Sequence, residues 1–324
     1  MEMFERPQLY SGPNLDPANV TFRPRAFAPG VYALIANPMP RDNSGLIVGD
    51  KASLVIDAGV NGATARKIQQ IARKLTDVPI RYLVNTNYHG DHTFGNYAFP
   101  DTVEIVAHRL TAESLSDLAY EKKVRCRNLY GNELAIADVE RWRKPDRTFE
   151  NHLELDLGGR VVHLWNFGPG NTPGDTIVYV PEEKIAWTGN FVGNQHLLPM
   201  LLEVGPLPYI ETLARCKAAL DIDTIVPGHG PLGKPVALDR TIQYLWALLQ
   251  DVTTAANLGL SAEAAVEAVR LRPEFELPWW FPVRSLRRLM TNFQRLNVLF
   301  TYRELERQRT APGAPQHHKT GRSI

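Results

Sequence analysis

"NTNYHGDHTFGN", residues 85–96, places His89, Asp91 and His92 within four consecutive positions. Imidazole and carboxylate at that density mark a metal-binding loop, because borderline divalent ions favour those donors over neutral amides. The loop reads as a dinuclear site short of one donor: a third histidine is expected at position 87, which holds Asn87. Whether such a loop still holds metal, and how many ions, decides what the chain does.

The loop continues from "IRYLVNTN" (80–87), an apolar and β-branched run that reads as a strand. Upstream, "VYALIA" (31–36), "SGLIVGD" (44–50) and "ASLVIDAG" (52–59) have the same character and are separated by turn residues. Ile68, Ile71, Ala72 and Leu75 recur at helical spacing over 61–76, with Asn61 placed as an N-cap. Downstream come "EIVAHR" (104–109), a hairpin over 152–167 turned at Gly158-Gly159, "TIVYVPEEKIAWTGN" (176–190) and "TIVPGHG" (224–230). The stretch 110–150 is charged, helical in pattern, and reads as an insertion. Residues 1–30 read as an extended arm, 238–310 as a helical extension, and 311–324 as a disordered tail.

Composition bounds the function. With 324 residues, 44% of them apolar, the chain can bury a large core. A formal charge of +1, from 36 basic and 35 acidic residues, gives no electrostatic footprint for nucleic acid or a membrane surface. Cys126 and Cys216 lie far apart without ligand spacing, so no disulfide framework is expected and a reducing cytoplasm is the expected location. The first twenty residues lack a signal-peptide core, and no run reaches the ~18 apolar residues that a membrane helix needs.

Two sets of strands interleaved with helices predict an α/β fold with its polar loops just past strand ends. Those loops are Asn87/His89/Asp91/His92, then "GPGNTPGD" (168–175), "WTGN" (187–190) and "VPGHG" (226–230). In this order and with these compositions they resemble the metallo-β-lactamase superfamily, a likeness running from about residue 31 to 235. The resemblance implies an αββα sandwich over 31–237, followed by the C-terminal helical extension. It also implies that Asp57, in "VIDAG", supports the metal loop structurally.

In the superfamily one metal takes the first two histidines of HxHxDH and the histidine of "GHTPGD". A second takes the Asp-His pair and the last histidine of "GHG", and an aspartate of "TGD" bridges the two. Carried over, the first set keeps only His89, the others being Asn87 and Asn171, and the bridge is Asn190. The second set is whole: Asp91, His92 and His229. All the losses fall on one site, and amides are poor zinc ligands. One Zn²⁺ per chain is therefore expected, with an open position, a net charge of about +1, and hydroxide made available near neutral pH. Gly90 is expected to permit the sharp turn that lets Asp91 and His92 reach one ion. His89 is expected as general base, or else as a hydrogen-bonding neighbour of the ligands. Asn190 and Asn171 are expected to orient water or substrate, or to fill vacated space.

The arrangement of His89, Asp91, His92, Asn190 and His229 is similar to that of the single-zinc hydrolytic dehalogenases that act on chlorothalonil. The resemblance implies displacement of chloride from an electron-poor ring. The stretches where that type carries a stacking tryptophan and a pocket serine, here 209–216 and 97–102, hold neither. Hydrolysis of an ester, lactone or amide at the same metal is the alternative, and a non-catalytic binding protein of this fold is a third. Apolar Leu197, Leu198, Met200 and Tyr209 line a pocket for a flat molecule or else sit in the core. "ELPWWFP" (276–282) caps that pocket or packs on the core. Leu286, Leu289, Phe293, Leu296 and Phe300 recur at near-heptad spacing, fitting a homodimer seam or packing within the chain. The expected partners are thus a small-molecule substrate and a second copy of the chain.

Overall fold

The computed structural model describes residues 15–126, 133–281 and 285–310. Its first half is built from β1 (Thr21–Ala28), β2 (Val31–Asn37), β3 (Ser44–Val48), β4 (Ser53–Ile56), α1 (Gly62–Leu75) and β5 (Ile80–Val84). The short α2 (Gly90–Thr93) carries the metal loop, and β6 (Glu104–His108), α3 (Arg109–Ser114), α4 (Leu118–Arg125) and β7 (Arg147–Phe149) follow. Then come β8 (His152–Asp156), β9 (Val161–Trp165), β10 (Ile177–Val180), β11 (Ile185–Gly189), α5 (Pro206–Ala219) and β12 (Thr224–Pro227). The chain finishes with α6 (Val236–Asn257), α7 (Ala262–Ala268) and α8 (Ser285–Thr310).

One sheet runs β1 to β7 in sequence order and the other runs β12-β11-β10-β9-β8. β4, β5, β6 and β7 are mutually parallel, as are β11 and β12; the remaining pairs are antiparallel. In β4, Leu54 and Ile56 face the space between the sheets while Val55 faces α1. A strand covered on both sides has no polar face, which is why "SLVI" reads as an unbroken apolar run. Between the sheets, Ile47, Leu54 and Val84 meet Leu164, Val178 and Trp187. Helix α1 covers one outer surface through Ala65, Ile68 and Ala72, and its N-cap is Asn61, whose side chain accepts from Thr64 N at 2.9 Å. Helices α5, α6 and α8 cover the other. The fold is an αββα sandwich with a C-terminal helical extension.

Two sequence expectations change, and one pair of alternatives is narrowed. The second half of the expected arm is edge strand β1, which pairs with β2 across a turn where Gly30 has φ +80°. Its side chains are mostly exposed, so no alternating apolar pattern marked it. The expected insertion ends in β7, a three-residue strand parallel to β6 that is too short to carry a periodicity. The seam residues Leu286, Leu289, Leu296 and Phe300 are buried, and Phe293 packs against the same core, so this face is satisfied within the chain. By contrast the Gly158-Gly159 hairpin is as read, with both glycines at positive φ. The tail at 311–324 lies outside the described residues, among which no helix is long and apolar enough to cross a membrane.

The chemistry-bearing loops converge where the parallel strands end, at the C-terminal ends of β4, β5, β11 and β12. The segment before β3 is fastened to the last of these loops. Asn43 Nδ2 donates to Pro227 O and Gly230 O, both at 2.9 Å, and its Oδ1 accepts from Ala36 N at 3.0 Å. Asn43 N also donates to Gly228 O at 2.7 Å. Replacing Asn43 by Ala leaves three buried backbone groups without partners, and each such group costs about 1–3 kcal/mol. The expected outcome is a loss of at least ~2 kcal/mol in denaturant unfolding, with weaker metal retention because the loop carrying His229 is released.

Candidate metal centre

The loop after β5 starts with buried Asn85, whose Nδ2 donates to His92 O at 3.2 Å and to Asn96 Oδ1 at 3.0 Å. Residues 90–93 then form a single helical turn, α2, capped by the backbone of His89. A Cβ added at Gly90 would run into the Phe94 ring, so glycine is required there for space rather than for an unusual φ. Asp57, at the end of β4 with φ +59°, sits beneath this loop. It accepts from Thr86 N at 2.8 Å, from Thr86 Oγ1 at 2.7 Å, and from His92 Nδ1 at 2.8 Å. The aspartate thus commits His92 to presenting Nε2 forward. The sequence expectation for Asp57 matches this placement.

His92 Nε2 stands 3.5 Å from Asp91 Oδ2, and His229 Nε2 stands 3.2 Å from the same oxygen. His229 is oriented from behind like His92, its Nδ1 lying 2.9 Å from Pro40 O. His92 Nε2 is fully buried, has no hydrogen-bond partner and stands beside the other donors. The expected ligands Asp91, His92 and His229 are therefore brought together. A fourth donor joins them: one atom each of Asp42, Asp91, His92 and His229 lie within 4.8 Å of one another. Asp42 is buried, its Oδ1 is 3.1 Å from His229 Nδ1, and its backbone bridges to His229. Two imidazoles and two carboxylates closing on one point fit a divalent ion of the zinc type. Sequence reasoning missed Asp42 because it belongs to none of the four loops; the signal was a lone acid before an Asn-Ser pair that opens a strand.

The first ligand set has a different fate. Asn87 is fully buried and its Oδ1 accepts from His89 N at 2.9 Å, so it ties down its own loop. Asn171 Nδ2 donates to Met200 O at 2.7 Å, while its Oδ1 faces the cavity without a hydrogen-bond partner. Asn171 is held by Asp175, which accepts from Asn171 N at 2.6 Å, Thr172 N at 3.1 Å and Thr172 Oγ1 at 2.7 Å. Burial pushes the Asp175 carboxyl up to about 7 against those hydrogen bonds. His89 lies between Asn190, whose Nδ2 is 3.1 Å from His89 Nδ1, and Glu203, whose carboxylate is 3.6 Å from His89 Nε2. Tyr88 donates its hydroxyl to the same Glu203 oxygen. Glu203 was also missed: it is the one acid in the apolar stretch 193–210, and that contrast was its signal. Gly228 packs against both halves of the site, since a Cβ there would lie 2.9 Å from His92 Cε1 and 3.0 Å from Asn190 Oδ1.

A cavity of about 110 Å³ opens on this centre. His89, Asp91, Asn171, Asn190 and His229 form its polar end, and Leu197, Leu198, Met200, Leu289 and Phe293 are among its apolar walls. Tyr209 does not take part; it is buried in the core, with its hydroxyl on Phe191 O. None of the described residues of "ELPWWFP" lines this cavity; Leu277 and Phe281 pack in the core, as one of the two sequence readings had it. Trp279 is 88% exposed, and Trp280 meets His196 edge-on at 5.4 Å.

Burial opposes a charged ring at His92, but the Asp57 and Asp91 carboxylates outweigh it and push its pKa up to about 10. In the metal-free protein the contribution of this ion pair to stability is full below the ordinary value of 6.5 and is lost as the pH rises through about 10. A ligating imidazole must be neutral, so the ion has to displace that proton. Metal binding between pH 7 and 9 is expected to release at least one proton per ion, with affinity rising about tenfold per pH unit. Calorimetry in buffers of different ionisation enthalpy checks this, and a heat independent of the buffer contradicts it.

With the geometry in hand, comparisons with known proteins agree on one grouping. A profile of the metallo-β-lactamase superfamily matches residues 41–229, more than half of the chain. Among curated proteins, a linear primary-alkylsulfatase from a Pseudomonas species is 22% identical over 267 residues, covering 70% of this chain and 50% of that protein. The alpha subunit of a 2,4-dinitroanisole O-demethylase from a Nocardioides species is 26% identical over 188 residues, covering 56% and 51%. The chain spans about half the length of these curated relatives. A solved metallo-beta-lactamase from Pontibacter korlensis superposes with a TM-score of 0.55 at 19% identity, covering 70% of this chain and 99% of that one. The DIM-1 metallo-beta-lactamase gives 0.55 at 16%, covering 69% and 96%, so the likeness to solved structures is one of fold. By profile, fold and donor-bearing loops together, the chain belongs to the metallo-β-lactamase superfamily of metal-dependent hydrolases.

Proposed function

We propose that the chain is a hydrolase working with one zinc ion per molecule on a small, apolar, activated substrate, with displacement of a leaving group from an electron-poor aromatic ring as its reaction. The observation that carries this reading is the asymmetry of the centre. The donors of the second set, joined by Asp42, lie within 4.8 Å of one another, and His92 Nε2 has no hydrogen-bond partner. Asn87, Asn171 and Asn190, at the other positions, each make a hydrogen bond within the protein and offer only neutral amides, with Asn87 Nδ2 and Asn171 Oδ1 left without a hydrogen-bond partner. Zinc held by Asp42, Asp91, His92 and His229 would supply Lewis acidity and make hydroxide available near neutral pH. The second carboxylate neutralises a dication instead of leaving it near the +1 expected from sequence. A less electrophilic centre places more weight on the residues that move protons.

His89 is placed for that role. The Glu203 carboxylate at its Nε2 favours the proton there and stabilises an imidazolium, while Asn190 holds Nδ1 in register with the metal donors. The walls of Leu197, Leu198, Met200 and Phe293 take up a flat apolar body and exclude water, and Asn171 Oδ1 offers an acceptor at the polar end. The demethylase relative supports the aromatic reading, because 2,4-dinitroanisole is by its name a ring made electron-poor by two nitro groups and bearing a methoxy leaving group. The dehalogenase-like pattern of His89, Asp91, His92, Asn190 and His229 points the same way. The alkylsulfatase relative favours a second reading, hydrolysis of an ester at the same centre.

Elemental analysis of protein purified without added metal is expected to give one zinc per chain, lost along with activity in Asp91→Ala and His92→Ala; two ions, or none, overturn the proposal. Chlorinated and methoxylated nitroaromatics set against alkyl sulfates, lactones and nitrophenyl esters separate the two reactions by the product released. Glu203→Gln is expected to lower kcat by about 10²-fold at unchanged zinc content and to shift the acidic limb of the pH profile to lower pH. Unchanged kcat in that variant removes His89 as the base.

A further inference from the structure

A second group of metal-type donors lies on the outer face of the smaller sheet. In the β8–β9 pairing Glu154 stands opposite His163 and His152 stands opposite Trp165. Strand alternation sends Val162 and Leu164 into the core between the sheets, so His152, Glu154, His163 and Trp165 share the face turned away from it. There His152 Nε2 is 3.1 Å from His163 Nδ1, and Glu154 Oε1 is 3.6 Å from the same His163 nitrogen. One donor atom from each of the three lies within 4.8 Å of the others.

The two imidazoles are also held in place. His152 stacks on Trp165 with centroids 3.7 Å apart and planes at 17°, and Trp165 stacks on Phe167 at 5.4 Å and 10°. The His152 and His163 rings are themselves nearly parallel, at 14°. Packing of this kind restricts ring rotation, so part of the ordering that ligation requires is already present.

We propose that His152, Glu154 and His163 form a second divalent-metal site, separate from the catalytic centre, that takes a borderline ion such as Zn²⁺, Ni²⁺ or Cu²⁺. Bonds of about 2.0–2.2 Å in tetrahedral geometry put ligand atoms ~3.3 Å apart, close to the two spacings found here. Two nitrogen donors to one oxygen disfavour Mg²⁺ and Ca²⁺, which require oxygen. Three protein donors leave at least one position for water, in keeping with the partial exposure of His163 and Glu154. None of the three residues lines the cavity of the catalytic centre. The ion would instead clip β8, the edge strand of its sheet, to β9 across the Gly158-Gly159 turn. Its expected effect is therefore on the stability of this hairpin and not on turnover.

The test titrates Ni²⁺ into full-length protein already holding zinc, in a background with His317→Ala and His318→Ala so that the adjacent C-terminal pair does not compete. Calorimetry is expected to show one Ni²⁺ taken up without zinc release, with a rise in melting temperature. His163→Ala and His152→Ala should each weaken that binding at least tenfold and abolish the thermal shift, leaving zinc content and turnover unchanged. Glu154, 58% exposed, tolerates Glu154→Gln without a folding risk, and this variant should weaken Ni²⁺ binding by a smaller factor. If all variants bind Ni²⁺ like the parent, or if the parent takes Ni²⁺ only by losing zinc, the three side chains form a hydrogen-bonded aromatic ladder and no metal site. If both histidine variants fail to fold, Glu154→Gln decides alone: undiminished Ni²⁺ affinity overturns the proposal and weakened affinity supports it.

Discussion

The carboxylate of Asp57 joins the fold to its chemistry. It ends β4, receives two hydrogen bonds from Thr86 at the end of neighbouring β5, and fixes Nδ1 of His92. One buried side chain thereby joins two parallel strands and sets which nitrogen of the candidate ligand His92 points forward. The strained φ of +59° falls on a residue type that tolerates that region, and the surrounding hydrogen bonds offset the local cost. Such a group is hard to replace, because a neutral isostere cannot accept from three donors while favouring the imidazolium that precedes metal binding.

A second constraint closes the sandwich from the opposite sheet. His229 follows β12, far in sequence from the loop that carries Asp91, yet its Nε2 comes to 3.2 Å from Asp91 Oδ2. The segment before β3 achieves this: Asn43 holds Pro227 and Gly230, Pro40 fixes His229 Nδ1, and Asp42 adds its own carboxylate. Thus three neighbouring residues orient a ligand and contribute another. Burial, and then the Asp91 carboxylate beside it, hold the Asp42 carboxyl well above the ordinary range while no cation is present. Two acids in contact in the core are costly unless a proton or a metal separates them.

These arrangements explain what could be read from the sequence. β4 was visible because burial on both faces enforces an apolar run, and α1 was visible because one face alone is buried. Asp91, His92 and His229 were legible since donors in short loops past strand ends leave a pattern that does not depend on distant contacts. β1 and β7 were not, one being exposed along its length and the other only three residues long. Asp42 and Glu203 escaped for a different reason. Each is a lone acid whose meaning comes from a partner far along the chain, and no local spacing encodes that partner. Gly90 was noticed for the wrong cause, its backbone freedom, when the Phe94 ring is what excludes a side chain.

The loss of three donors at the first set did not leave an empty hole, and this bears on how such a centre stays folded. A buried ligand position without its ion is an unsatisfied polar group, which costs about 1–3 kcal/mol. Asn87 turns its oxygen onto the backbone of its own loop, Asn171 its amide onto Met200, and Asn190 its amide onto His89. Each amide carries both a donor and an acceptor, so it can complete a local hydrogen bond where a histidine or aspartate would need a metal or a proton. Glu203 then meets the remaining nitrogen of His89. The vacated half thereby becomes a shelf of amides beside His89 and Glu203, in which Asn87 Nδ2 and Asn171 Oδ1 remain without a hydrogen-bond partner, as His92 Nε2 does on the other half. Under the proposed function, that arrangement puts the metal on one side of the site and the proton-moving histidine on the other.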